Sequence, residues 1–248
     1  MILRDHFAGV ASAYAAFRPS YPEPLFDWLA SVAPAHRLAW DCACGSGQAT
    51  VPLAGRFLSV AGTDASLKQL ANAPAIENAV YSAAAAESSP FADLSVDLVT
   101  VGQALHWFDL ETFFSEVRRV LIPGGIVAAW TYGMPEMDVP SIEAPIRSFI
   151  NDTLGPFWPP EIAAVLDGYA SIDLPFAEIE PPRLEMTESW TLSRFLDFVG
   201  TWSGVARFRE ARGEDPVESL ASDLFPRWPS PENRRRIRWR LKIRAGTT

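Results

Sequence analysis

Short apolar runs punctuate the first half of the chain at crossover spacing. Leu38-Ala39-Trp40 ends at Asp41, Phe57–Thr63 ends at Asp64, and Ala79–Ala83, Val96–Val101 and Ile126–Trp130 follow. Such brief, β-branched or aromatic runs read as strands of a parallel sheet buried on both faces. Between the fourth and fifth, Leu110, Phe113, Phe114, Val117, Val120 and Leu121 recur with helical period behind Asp109, a candidate N-cap, and Pro123-Gly124-Gly125 stops the pattern. Upstream, Pro22 and Pro24 favour the first turn of a helix carrying Leu25, Phe26, Trp28 and Leu29, which Pro34 ends. Strands alternating with helices predict an α/β fold with helices on both faces of the sheet.

The second half is patterned differently. Ile142, Ile146, Phe149 and Ile150 mark a helix before Gly155, and Ile162, Val165 and Leu166 mark another after Pro159-Pro160. Phe157, Trp158 and Tyr169 either line an apolar pocket or fill core, and aromatic residues at helical spacing favour core. Phe176 to Glu185 predicts a strand that Pro181-Pro182 makes broken or peripheral. Leu192, Phe195, Leu196, Val199 and Trp202 share one helical face, and Asp215-Pro216-Val217-Glu218 forms a capping box with proline at the first helical position. From Arg236 to Arg244, Ile237, Trp239, Leu241 and Ile243 alternate with Arg238, Arg240, Lys242 and Arg244, which predicts a half-buried final strand with a basic solvent face.

Composition narrows the partners. A chain of 248 residues with 48% apolar content can bury a sizeable core. The net charge of −9 opposes polyanions, so nucleic acid is not an expected partner. No apolar run approaches the roughly 18 residues of a membrane span. Ala11-Ser12-Ala13 mimics a signal-cleavage site, but Asp5 and His6 interrupt any basic leader, so residues 8–17 read as an amphipathic helix of a cytoplasmic protein. Cys42 and Cys44 stand too close for a disulfide and are too few for a zinc site; they read as small residues packed around a loop.

That loop carries the candidate chemistry. Behind the first strand, Asp41-Cys42-Ala43-Cys44-Gly45-Ser46-Gly47-Gln48 is built of small residues, and Gln48–Leu53 can start a helix. Small residues permit a sharp strand-to-helix turn and close approach of the backbone to a ligand. A dinucleotide loop wants a third glycine, whereas Gly45-Ser46-Gly47-Gln48-Ala49-Thr50 has threonine there. Asp41 is a poor neighbour for pyrophosphate and a good one for an ammonium or sulfonium group. These features point to S-adenosylmethionine (SAM), with a nicotinamide-dependent oxidoreductase as the less favoured alternative. Asp64 follows Gly47 by 17 positions, close to the ~20-residue interval of an acid that binds ribose hydroxyls. It can also cap the helix that Ala65 and Ser66 begin.

Asp41 to Gln48 resembles the D-x-G-x-G-x-G signature of class I SAM-dependent methyltransferases, with Ala43 in place of the first glycine. Ala85-Ala86-Glu87-Ser88-Ser89-Pro90-Phe91 is similar to the family's D-A-E-x-L-P-F loop, with Ala85 in place of the aspartate. Gln103-Ala104-Leu105-His106-Trp107-Phe108 is similar to its Q-A-x-H-W-F variant, and Leu121 with Pro123-Gly124-Gly125 to its L-x-P-G-G turn. Tyr14, Arg18-Pro19 and Tyr21-Pro22, with Thr201-Trp202-Ser203, look like segments of the trans-aconitate methyltransferase-like branch of the type 11 methyltransferases.

The resemblance implies a Rossmann-like, seven-stranded, mostly parallel sheet with an antiparallel strand near the C-terminus. A cap and cofactor-binding core would span 1–131, a helical substrate lid 132–172, and the rest of the sheet 173–248. It implies a cofactor set of Tyr14, Arg18, Asp41, Ala43, Gly45, Gly47, Gln48, Asp64, Ala65, Ala86, Glu87 and Gln103, and no metal. His106 would lie near the methyl donor, either as a general base or as a packed histidine making one hydrogen bond. The expected acceptor is a small molecule, with a carboxylate oxygen first and carbon or nitrogen open. The expected assembly is a monomer or weak homodimer. A SAM-binding module without catalysis would keep nearly the same residues.

Overall fold

A computed structural model describes residues 18–248 of the chain. Tyr14 and the amphipathic helix expected at residues 8–17 lie outside the described residues. Helix α1 (Glu23–Val32) opens the described fold, with proline in its first turn and Leu25, Phe26 and Leu29 buried. Strand β1 (Leu38–Cys42), the short helix α2 (Thr50–Ala54), β2 (Ser59–Asp64), α3 (Leu67–Leu70) and β3 (Ala79–Ala83) follow. Then come β4 (Val96–Gly102), α4 (Leu110–Val120) and β5 (Leu121–Tyr132). The strand order β3-β2-β1-β4-β5 is parallel throughout, so their C-terminal ends open on one edge of the sheet. Strand order reverses beside β1, where the chain crosses to β4; in open α/β sheets this is where ligands bind.

Alternation along the strands divides the core between two faces. Ala39, Leu98, Ile126, Ala128 and Trp130 join one cluster with α1 and the C-terminal elements. Trp40, Val99, Val101, Val127 and Ala129 join a second with α4. Helix α4 begins at the expected cap, Asp109, whose carboxylate accepts from Thr112 N–H and Oγ1. Pro123-Gly124-Gly125 was expected to stop the helix, but α4 ends earlier, at Val120, and β5 already starts at Leu121. Leu121 pairs with Val96 before the register shifts and resumes at Ile126 opposite Leu98. The turn is thus a bulge within the strand, made possible by Gly124 at φ +75°.

Beyond β5 lie β6 (Glu136–Met137), α5 (Pro140–Ser148) and α6 (Ile162–Leu166). Next are β7 (Ala177–Glu178), β8 (Glu185–Trp190), α7 (Leu192–Gly200), α8 (Ser203–Arg212), α9 (Pro216–Leu224) and β9 (Arg235–Thr247). β9 pairs antiparallel with β5 and carries β6, β7 and β8 on its length, giving nine described strands where seven were expected. The predicted strand at 176–185 shrinks to β7. Pro181-Pro182 interrupts it, and the longer pairing with β9 is made by β8 instead.

The basic face of β9 is not simply solvated. Arg238 pairs with Asp138 at 2.7 Å, Arg240 with Glu136 at 3.1 Å and Arg244 with Glu178 at 2.7 Å. Each partner lies on or beside a strand that β9 recruits, so the charges help to fix the register.

Candidate functional site

A cleft of about 820 Å³ opens at the C-terminal ends of β1, β2 and β4. The loop after β1 forms its floor. Ala43, Gly45 and Gly47 have φ of +54°, +57° and +82°. Glycine adopts this region freely and alanine at a cost of about 1–2 kcal/mol, so the Ala43 substitution keeps the loop's shape and stores strain in it. Gly47 is required for a second reason: a Cβ there would stand 2.7 Å from Tyr81 Oη on β3.

The position of the missing third glycine explains itself. Thr50 starts α2 fully buried, and its hydroxyl donates to Asp41 Oδ2 at 2.6 Å. Thr100 on β4 donates to Asp41 Oδ1 at 3.1 Å. Asp41 is itself 1% exposed, and burial lifts its pKa from 3.8 to about 6 against the lowering effect of the two threonines. The carboxylate is therefore a positioned charge at the cleft floor, held under the loop.

Asp64 ends β2 and organises the loop from the opposite side. Its Oδ2 accepts from Gly45 N and its Oδ1 from Ser66 N, both at 2.8 Å. Gln69 on α3 lines the same wall, only 4% exposed, with an Oε1 that has no hydrogen-bond partner among the described residues. Sequence reasoning missed it, because a glutamine on a short helix carries no motif.

The expected set comes together here. Arg18, Asp41, Ala43, Gly45, Gly47, Gln48, Asp64, Ala65, Ala86, Glu87 and Gln103 all line the cleft, as does His106. Several are held by the protein itself. Gln48 Nε2 donates to Pro19 O and ties the loop to the segment before α1. Glu87 Oε1 accepts from Asp109 N at 3.0 Å. Gln103 sits at φ +57°, and its Oε1 accepts from Thr131 Oγ1 at 2.8 Å and Tyr132 N at 3.0 Å. The Gln103 amide thus clamps the loop after β4 to β5 and shapes the wall. Cys44 also lines the cleft, and burial raises both cysteine thiols above their ordinary pKa, which keeps them protonated and consistent with packing.

His106 follows β4 in a short 3₁₀ turn, Leu105–Trp107. Its Nδ1 lies 3.0 Å from Tyr169 Oη, and its ring packs 4.8 Å from that of Trp107. Burial lowers its pKa from 6.5 to about 4 against the opposing charge of Glu161, so the imidazole is neutral at pH 7. The neutral imidazole can accept a proton, but a pKa of about 4 makes it a weak base at pH 7. Tyr169 is fully buried, as the core reading of its aromatic ring expects.

A smaller pocket of about 70 Å³ adjoins the cleft and shares Arg18, Gln103, His106 and Trp107 with it. Trp158, Phe198 and Trp202 wall it, so Trp158 lines a pocket while also packing against the core, as its spacing favoured. Phe157 instead packs on Phe208, 4.8 Å between ring centres. Glu161 and Arg207 stand in the lining of the main cleft, contributed by the segment before α6 and by α8. Sequence reasoning gave neither, because both are solvent-facing charges without a pattern.

The donor set fits SAM. Asp41, Asp64 and Glu87 give the cleft an acidic wall suited to a cationic ligand bearing hydroxyls, and Gln69 Oε1 is a buried acceptor still without a donor. A pyrophosphate would meet three carboxylates at that wall.

Comparison with known proteins agrees. Residues 40–129 match the methyltransferase domain family. A Dictyostelium discoideum protein whose name classes it as a methyltransferase is 32% identical over 224 residues, covering 89% of this chain and 85% of that one. A solved structure from Anaeromyxobacter dehalogenans, classed as a type II methyltransferase, is 42% identical with a TM-score of 0.86, covering 93% of this chain and 98% of that one. A malonyl-[acyl-carrier protein] O-methyltransferase of Dechloromonas aromatica is 32% identical over 139 residues, covering 53% of this chain and 50% of that one. With the glycine loop at the first strand, the acid at the second and this relationship along nearly its whole length, the chain belongs to the class I SAM-dependent methyltransferases.

Proposed function

We propose that the protein transfers the methyl group of SAM to an oxygen of a small molecule, with a carboxylate as the first choice of nucleophile. The observation that carries the reading is the junction of the two pockets at Arg18 and His106. A cofactor in the large cleft and an acceptor in the small pocket would meet there. The Dechloromonas relative, an O-methyltransferase by name, supports oxygen as the acceptor atom.

When bound, SAM supplies an activated methyl carbon, and transfer makes an oxygen–carbon bond while the carbon–sulfur bond breaks with its pair on sulfur. The protein's contribution is alignment and exclusion of water. In this reading the loop at 43–47 brings backbone close to the methionyl part, with Asp41 as the counter-charge to its ammonium group. Asp64 accepts from the ribose hydroxyls, and Ala86 with Glu87 borders the adenine. Arg18 is held at the junction by Tyr132, its Nη1 donating to Tyr132 Oη at 3.1 Å. His106 accepts a proton where the nucleophile is a hydroxyl and only shapes the site where it is a carboxylate.

The test is isothermal titration with SAM, S-adenosylhomocysteine (SAH) and NAD, followed by transfer of labelled methyl from SAM to an oxygen-acceptor panel. Micromolar binding of both adenosyl ligands with base-labile label in product supports the reading. Label found only in carbon- or nitrogen-methylated product refutes the oxygen assignment.

A further inference from the structure

The small pocket is a built alcove rather than a loose gap. Trp158 is fixed by its Nε1, which donates to Ile150 O at 3.0 Å, and its ring lies 5.9 Å from Trp202. Gly204 on α8 makes room for it, since a Cβ there would stand 3.0 Å from the indole. Phe198 meets Trp202 edge-on at 5.7 Å, and the Arg18 guanidinium lies over the Phe198 ring at 5.5 Å. Ile162 and Val165 on α6 close one side. Among the described residues lining it, Arg18 and His106 are the side chains of cation-forming type, and both stand where the alcove meets the cleft.

Resting on the reading above, we propose that this alcove is the acceptor subsite and takes a monoanionic acid with a compact apolar group. The carboxylate sits at the Arg18–His106 threshold and the hydrocarbon rests against Trp158, Ile162 and Trp202. Size sets the first limit. A cavity of about 150 Å³ admits benzene, so about 70 Å³ admits a branched chain of a few carbons. Charge sets the second. A polycarboxylate would put its further carboxylates against indole and phenyl walls, desolvated and without a cation. An uncharged analogue would forgo the guanidinium at the threshold. The proton balance is simple: a carboxylate arrives deprotonated, so nothing need be removed when its oxygen bonds to the methyl carbon and the carbon–sulfur pair returns to sulfur.

The experiment uses the protein loaded with SAH and titrates it calorimetrically with 3-methylbutanoate, propane-1,2,3-tricarboxylate and 3-methylbutan-1-ol. Labelled methyl transfer from SAM is measured alongside. The acid should bind at least tenfold tighter than the other two and be methylated. Ile162→Trp should fill the alcove and weaken the acid at least tenfold while SAH binds as before. Ile162→Ala should shift preference toward the bulkier cyclohexanecarboxylate and also guards against a tryptophan variant that does not fold. Equal or tighter binding of the tricarboxylate or the alcohol, or no binding of the acid to an SAH-loaded protein, overturns the proposal and leaves the SAM reading standing. Failure of SAH itself to bind overturns both.

Discussion

Replacing Asp41 by asparagine should make the protein more stable and a worse binder of SAM. The side chain is buried, and desolvation holds its pKa at about 6 against 3.8 in an ordinary environment. Above pH 6 the folded state must carry a carboxylate it would rather protonate. The gap corresponds to about 3 kcal/mol of destabilisation at 1.36 kcal/mol per pKa unit, an upper bound for a relaxing interior. A raised carboxylate pKa means that the folded state binds more protons than the unfolded chain between pH 3.8 and 6. Its penalty is therefore full above pH 6 and fades as the pH falls to 3.8. Asparagine is nearly isosteric, and Thr50 and Thr100 can turn their hydroxyls to suit it.

Urea unfolding of wild type and Asp41→Asn at pH 7.5, 6, 5 and 4 reads this directly. The variant should lead by about 1–3 kcal/mol at pH 7.5, with the gap closing toward pH 4. The comparison must be made between the two proteins. His106, depressed from 6.5 to about 4, has the opposite sign and costs stability as the pH falls through that window. It acts equally in both proteins and so cancels in the difference. A variant less stable at pH 7.5, or a gap that widens on acidification, would refute the reasoning. Titration with SAM should show the cost of the added stability as a weakening of tenfold or more, the trade between stability and function usual at binding sites.

Other substitutions test the loop and the core. Ala43→Gly should relieve the left-handed strain, less the extra freedom it gives the unfolded chain, for a net gain of about 0.5–1 kcal/mol in urea unfolding. Gly47→Ala should cost stability and at least tenfold in SAH affinity, because its methyl meets Tyr81 Oη; Tyr81→Phe in the same chain should recover part of the loss in calorimetry. Trp239→Ala, fully buried on β9, should destabilise by about 3–5 kcal/mol and lower the midpoint of thermal unfolding without a specific effect on cofactor choice.

The parallel half of the fold was legible because its strands are short runs rich in apolar residues, the first four ending at small or acidic residues, and each has a partner one crossover away. The antiparallel half was harder. β9 announced itself by strict alternation, but its partners β6, β7 and β8 are short, and β8 mixes glutamate and threonine with Met186 and Trp190. Their pairing is fixed by long-range contacts with β9 that no local window contains. Helix α8 was invisible for a related reason: it buries only Gly204 and Val205 and so carries little periodic signal.

In the site, small residues and acids at strand ends located the cleft. Side-chain partners were beyond reach, since Thr50 and Thr100 find Asp41 across 9 and 59 positions of sequence, and Tyr169 finds His106 across 63.

Whether the cleft is a SAM site is decided by calorimetric titration of the wild-type protein and Asp64→Ala with SAH and NAD. Asp64 is the acid to which Gly45 and Ser66 donate at the cleft wall. Its loss removes one or two charge-assisted hydrogen bonds worth about 1.5–3 kcal/mol each. The folded wild type should bind SAH at micromolar concentration and no NAD, and the variant should lose at least tenfold. A folded wild-type protein that binds NAD, or that takes no SAH, would contradict it.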